Sequence, residues 1–219
     1  MKKHPILMST TMIQAILDGR KTQTRRVIKP QPTISACGLI LHGAEWLEQY
    51  MTSENEIVHI GDYSKRHRCP YGQVGDHLWC KETWASDCTC ENPECNGVIY
   101  KAGYAGKIIP DKWRPSIFLP RKFSRLTLEI TEIRVQRVQE ITDKEIQAEG
   151  VEVTFFEPGE FGIANPCATG VVDLPNGYTI YTTARGCFTA LWNSINGKKY
   201  PWESNPYVWA ITFKVIRQQ

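Results

Sequence analysis

Residues 125–138, RLTLEITEIRVQRV, decide the fold of this chain. Leu126, Leu128 and Ile130 alternate with Thr127, Glu129 and Thr131, the period of a strand with one face buried. The parity then shifts once: Ile133, Val135 and Arg137 continue on the other phase, which predicts a bulge near Glu132. Thr142 follows as a cap for a short helix, DKEIQAE, closed by Gly150. Outward from this centre, the spacing predicts strands over His77–Trp84, Val98–Ala102 and Tyr207–Ile216. The first firm element is a helix capped by Ser9 or Thr10, with Met12, Ile13, Ile16 and Leu17 on its apolar face and Gly19 at its end. Thr22, Thr24 and Val27 then favour extended chain, stopped by Pro30 and Pro32. A further helix runs from about Cys187 to Ile195. Such an order is not alternating βαβ, and the expectation is an α+β fold with a small curled antiparallel barrel or sheet.

The 219 residues, 42% hydrophobic and 22% charged, suit a globular chain with a real core and exclude collagen-like, coiled-coil and disordered classes. No apolar run reaches the roughly 20 residues of a membrane span, and the N-terminus lacks a signal-peptide core, so a cytoplasmic protein with no membrane partner is expected. The net charge of +3 is too small to define a partner. The motifs interleave with unmatched stretches at about 33–66, 85–110 and 151–184, which points to a single domain, 1–219, enlarged by three insertions.

The densest chemical signal is Gly19-Arg20-Lys21-Thr22-Gln23-Thr24-Arg25-Arg26. Arg20, Lys21, Arg25, Arg26 and Lys29 crowd a stretch without an acid, a pattern that attracts phosphates and lowers the basicity of a buried lysine. A lysine so tuned can activate a threonine hydroxyl. Glu149, at the negative end of its helix dipole, suits a general acid or proton relay. Arg20, Arg25, Arg26 and Lys29 are the expected substrate- or nucleic-acid-binding residues. Further basic clusters occur at Lys65-Arg66-His67-Arg68 and at Arg121-Lys122 with Arg125, and Trp79, Trp84 and Trp113 are candidates for stacking on a base.

Cys88, Cys90 and Cys95 place three thiols in a turn-rich loop. They fit a structural zinc whose fourth ligand is open among Cys80, Cys69, His77 and Asp87; reduced free thiols are the alternative.

Five blocks carry a resemblance: ILMSTTMIQAILDGRKTQTRR, CPYGQVGDHLWCKETW, WRPSIFLPRKFSRLTLEITEIRVQRVQEITDKEIQAEG, LWNSING and NPYVWAITFKVI. Together they resemble the ASCH (ASC-1 homology) family, particularly its longer phage and prophage members. The resemblance implies a PUA-like fold, a small β-barrel with helices related to modules that bind RNA or read modified bases. It also implies an activity: small bacterial members hydrolyse N4-acetylcytidine to cytidine and acetate with a lysine, a threonine and a glutamate. Those residues fall on Lys21, Thr24 and Glu149, with Thr22 a rival hydroxyl; Arg26 matches the motif's closing arginine and Arg25 replaces an apolar residue. No cofactor is required for that chemistry. A nucleoside, RNA or DNA is the implied partner, with a non-catalytic reader of RNA or modified DNA and a ribonuclease as the alternatives.

Overall fold

The structure is a computed structural model, and it describes residues 1–31, 39–42, 45–48, 50–51, 57–58, 67–86, 97–104, 112–156, 167–173 and 179–218. In chain order the elements are β1 (Lys3–Leu7), α1 (Thr10–Leu17), β2 (Gln23–Val27), β3 (Leu39–His42), β4 (Glu45–Glu48), β5 (Tyr50–Met51), β6 (Ile57–Val58), β7 (His67–Arg68) and β8 (His77–Lys81). They continue as β9 (Trp84–Ala85), β10 (Ile99–Tyr100), β11 (Leu126–Arg137), α2 (Asp143–Ala148), β12 (Glu152–Phe156), β13 (Cys167–Asp173), β14 (Thr179–Thr183), α3 (Ala184–Asn196) and β15 (Tyr207–Gln218). The fold is α+β.

A five-stranded sheet in the order β1-β8-β11-β15-β2 carries the site. Its spine is β11 on β15, antiparallel from Leu126↔Gln218 to Arg137↔Tyr207, with register shifts at Thr127/Leu128 and Ile130/Glu132. The second shift is the bulge that the change of apolar phase predicts. Its effect is to keep Leu126, Leu128, Ile130 and Ile133 in one core with Ile6, Leu78, Ile211 and Phe213, roofed by Ile13 and Ile16 of α1. A second core, with Val138, Ile146, Phe188, Leu191, Trp192 and Val208, packs α2 and α3 together near the β2 end.

Two expectations change. The sheet is mixed, because β1 runs parallel to β8 in the register Lys3↔His77 to Leu7↔Lys81. The sequence reading begins with α1 and misses β1, whose Pro5 argues against a strand. Proline is tolerated here because β1 is an edge. Among the described residues no ladder joins β1 to β2; the link is a side chain, with Arg26 Nη2 donating to the carbonyl of Leu7 at 2.6 Å. Second, the weakly patterned stretch 151–184 contains an antiparallel sheet, β12-β13-β14, lying against α3. Smaller ladders join β3-β4-β7, β5-β6 and β9-β10.

Local signals fix the elements around the site. Ser9 caps α1 by accepting from the N–H of Met12, and Gly19 takes the left-handed φ of +73° that ends it. Thr142 caps α2 in a capping box with Glu145, and Glu149 is its C-cap rather than its last helical residue. Gly150 follows at φ +97°, and a Cβ there would stand 3.0 Å from the Ala15 Cβ and 3.3 Å from the Lys21 Cβ. Only glycine lets the end of α2 come this close to Lys21.

Candidate functional site

The end of α2 is laced onto the chain just before β2. The N–H of Thr22 donates to the carbonyl of Ala148 at 2.8 Å, and Lys21 and Glu149 form an isolated antiparallel bridge. This brings two of the three expected catalytic residues together. The Lys21 side chain is fully buried, and its Nζ donates to three oxygens: Glu149 Oε2 at 2.7 Å, the Glu149 carbonyl at 2.8 Å and the Gln23 carbonyl at 2.8 Å. An ammonium has three N–H bonds, so its donors are saturated. Burial holds the basicity of Lys21 below the ordinary lysine range; the Glu149 charge opposes that, and Arg26 and Arg25 add to it.

Arg25 takes the other side of the same carboxylate. Its Nη1 lies 3.1 Å from Glu149 Oε1 and 2.5 Å from Gln23 Oε1, while Nη2 lies 3.2 Å from Glu145 Oε2. Glu145 also pairs with Arg134, and Arg134 with Glu132. Thr212 closes the ring by donating to Glu132 and accepting from Gln23. Burial opposes the charge of Glu145. The Thr142 N–H, the bond from Arg134 and the charges of Arg25 and Arg134 outweigh it, and its carboxyl sits below the usual range.

Strand parity separates Thr24 from this cluster. Lys21, Gln23 and Arg25 share one side of the extended chain, whereas Thr24 alternates to the other, opposite Ile211. Among the described residues no hydrogen bond joins Thr24 to Lys21. Thr24 and Glu149, the partner of Lys21, nevertheless both line a cavity of about 330 Å³. Its lining runs without a break from Thr24 to Lys29 along β2, and its walls include Tyr71, Phe188, Trp192 and Trp209. The cations at this cavity are Arg25, Arg26, Lys29 and Arg68.

The four expected binding cations therefore divide. Lys29 lines the cavity and is exposed. Arg26 lines it too but is tied to Leu7, and Arg25 is a buried ion-pair member rather than a free ligand contact. Arg20 belongs to a second cavity of about 460 Å³, where it bonds the Gly150 carbonyl and Asp18. The two cavities share Met12, Leu191 and Glu149.

The aromatic candidates also change. Trp84 is buried against Phe123 under the Arg114 guanidinium, and Trp113 stands edge-on to Tyr104. Trp192 and Trp209 line the cavity instead. The helical spacing of Phe188, Leu191, Trp192 and Ile195 in the sequence was the available signal. Glu145 and Gln23 were missed as well: Gln23 shares the parity of Lys21 and Arg25, and Glu145 lies one helical turn before Glu149.

Cys88, Cys90, Cys95 and Asp87, the expected zinc ligands, lie outside the described residues. Of the other thiols offered, Cys69 and Cys80 are buried in the apolar core, where burial pushes them up to about 11 and about 12. Among the described residues no group of three His, Cys, Asp or Glu side chains is placed to hold a metal ion. Among them, too, no helix is long and apolar enough to cross a membrane.

No family model matches the chain, and searches of curated proteins and of solved structures gave no match.

Proposed function

We propose that the chain is a PUA-like ASCH protein that binds a nucleoside in the β2 cavity and hydrolyses an acyl amide on an N4-acylated cytidine. The observation that carries this reading is that Thr24 and Glu149 line one cavity with aromatic walls and cations at its side, and Lys21 is bonded to Glu149. A flat base suits Trp192, Trp209 and Tyr71, and Lys29 and Arg68 suit a phosphate or ribose oxygen.

The pair separation favours water as nucleophile. Glu149, whose carboxylate borders the cavity, takes a proton from water as the water oxygen bonds to the acyl carbon, while the Lys21 ammonium 2.7 Å away holds that carboxylate in place. As the tetrahedral adduct collapses and the C–N bond breaks, the proton passes from Glu149 to N4, giving cytidine and a carboxylic acid. Thr24, on the other parity, hydrogen-bonds the substrate in this scheme.

The test is cytidine release from N4-acetylcytidine by wild type, Lys21→Ala and Thr24→Ala. A kcat that vanishes in Lys21→Ala and persists in Thr24→Ala, with a raised KM, supports water attack; a kcat lost in both restores threonine as nucleophile. No turnover by wild type across several acyl groups sinks the hydrolase reading. A second reading, a reader that binds a modified base without turnover, is favoured by the saturated donors of Lys21. Binding of N4-acetylcytidine without its consumption selects it. A ribonuclease using the same cations has no separate observation in its favour.

A further inference from the structure

Among the described residues β2 is the last strand of its sheet, so one of its edges has no neighbouring strand there. In an antiparallel pair, every second residue directs its N–H and C=O to the partner and the residues between direct theirs away. Two bonds fix that phase. The N–H of Phe213 donates to the carbonyl of Thr22 at 2.9 Å, and the N–H of Ile28 donates to the carbonyl of Tyr207 at 3.1 Å. With the register Thr24↔Ile211 and Arg26↔Trp209, the even residues of β2 therefore face β15. The odd residues face outward, and the Gln23 carbonyl does so visibly, since Lys21 Nζ takes it from that side.

The N–H and C=O of Arg25 and Val27 are the next two pairs on the open edge. Among the described residues neither main-chain pair has a hydrogen-bond partner. Their surroundings are not open solvent, because the cavity runs along this edge and is walled by Glu149, Phe188 and Trp192. Main-chain groups left unmatched at a partly closed cavity are available to a ligand that enters it.

We propose that the outward main-chain edge of Arg25 and Val27 is the polar recognition element of the cavity, and that it pairs with the donor–acceptor edge of a planar heterocyclic amide such as a pyrimidine base. The N–H and C=O of one extended residue lie side by side, as the matching groups of a neighbouring strand would require. Cytosine and uracil carry an adjacent acceptor and donor in the same plane. A peptide strand is the poorer occupant: Lys21 and Glu149 block the edge at Gln23, and about 330 Å³ holds a small molecule. The choice of a pyrimidine rests on the nucleoside-binding reading above; the exposed edge does not.

Amide-resolved NMR tests both parts. In the free protein the amide hydrogens of Arg25 and Val27 exchange at least about tenfold faster than those of Thr24 and Arg26, which are in the ladder. Equal protection of all four overturns the proposal. Added cytidine or uridine shifts the Arg25 or Val27 amide proton downfield. Val27→Pro, which removes an outward N–H at an edge, keeps the fold and weakens binding about tenfold. If Val27→Pro does not fold, replacing the Val27 amide by an ester removes the same donor. Pyrimidine binding that leaves both amides unmoved overturns the proposal while the nucleoside reading stands. If no pyrimidine binds, the nucleoside reading falls, and 2-pyridone, whose ring holds N–H and C=O side by side, becomes the probe. A downfield shift with it at Arg25 or Val27 upholds the edge as an amide site; silence there overturns it.

Discussion

Lys21 and Glu149 are joined twice, since Nζ contacts both the carboxylate and the main-chain carbonyl of the same residue. The side chains are locked together, and the end of α2 is locked with them. Removing either partner leaves a buried charge, but the two losses differ. Without Lys21, Glu149 keeps Arg25; without Glu149, Lys21 keeps only neutral carbonyls. Glu149→Ala is expected to cost about 3–5 kcal/mol and Lys21→Met distinctly less. Urea unfolding of both variants measures the difference, and a reversed order contradicts this account of the pair.

Arg25 acts on Lys21 through Glu149. It is one of the like charges that lower the basicity of Lys21, and it also draws on the carboxylate that would raise it. Arg25→Met should therefore move the Lys21 titration upward, and Glu145→Gln, which removes the negative charge paired with Arg25, should move it downward. Nitrogen-15 NMR of the Lys21 ammonium reads both shifts. An arginine that serves only to bind ligand would leave this titration unchanged.

Stability depends on pH through the same groups. Lys21 has a folded pKa below 10.5, so between the two values the unfolded chain binds the extra proton. Stability from this group consequently rises with pH through that window, and the cost of burying the ammonium is fully present below it. Glu145 behaves oppositely in acid: its folded value lies below 4.5, so its contribution is present above 4.5 and lost as pH falls through the folded value. Unfolding free energies of wild type minus Lys21→Met, and of wild type minus Glu145→Gln, should show these two slopes in their separate pH ranges.

The parts legible in the sequence are those whose causes are local. Ser9, Gly19, Thr142 and Gly150 announce the ends of α1 and α2, and the phase shift after Ile130 announces the bulge. β1 escaped because its partner, β8, lies about seventy residues away and Pro5 speaks against a strand in isolation. β12, β13 and β14 escaped for a related reason: they pair only with one another, and their residues alternate weakly. At the site, Lys21 and Glu149 were legible as residue types. Their union with Arg25 and Glu145 was not, because the shared parity of 21, 23 and 25 gains meaning only once α2 lies across the edge of β2. Arg25 reads as a free cation in a basic run, and burial makes it something else.

The core thiols give a last test of how burial governs chemistry in this chain. Cys69 and Cys80 sit in the apolar core beneath α1, and burial pushes their thiols up to about 11 and about 12; the Glu82 charge adds to the effect at Cys80. The reactive species is the thiolate, so at pH 8 both should resist alkylation in the folded protein. Iodoacetamide labelling followed by peptide mapping should find Cys69 and Cys80 unmodified natively and modified in urea. Their labelling rate should follow the unfolding equilibrium, rising in Glu149→Ala about tenfold for each roughly 1.4 kcal/mol of lost stability. Rapid native labelling of Cys80 would mean that the sheet and α1 open without unfolding, and the buried cluster above them would then be exposed to solvent as well.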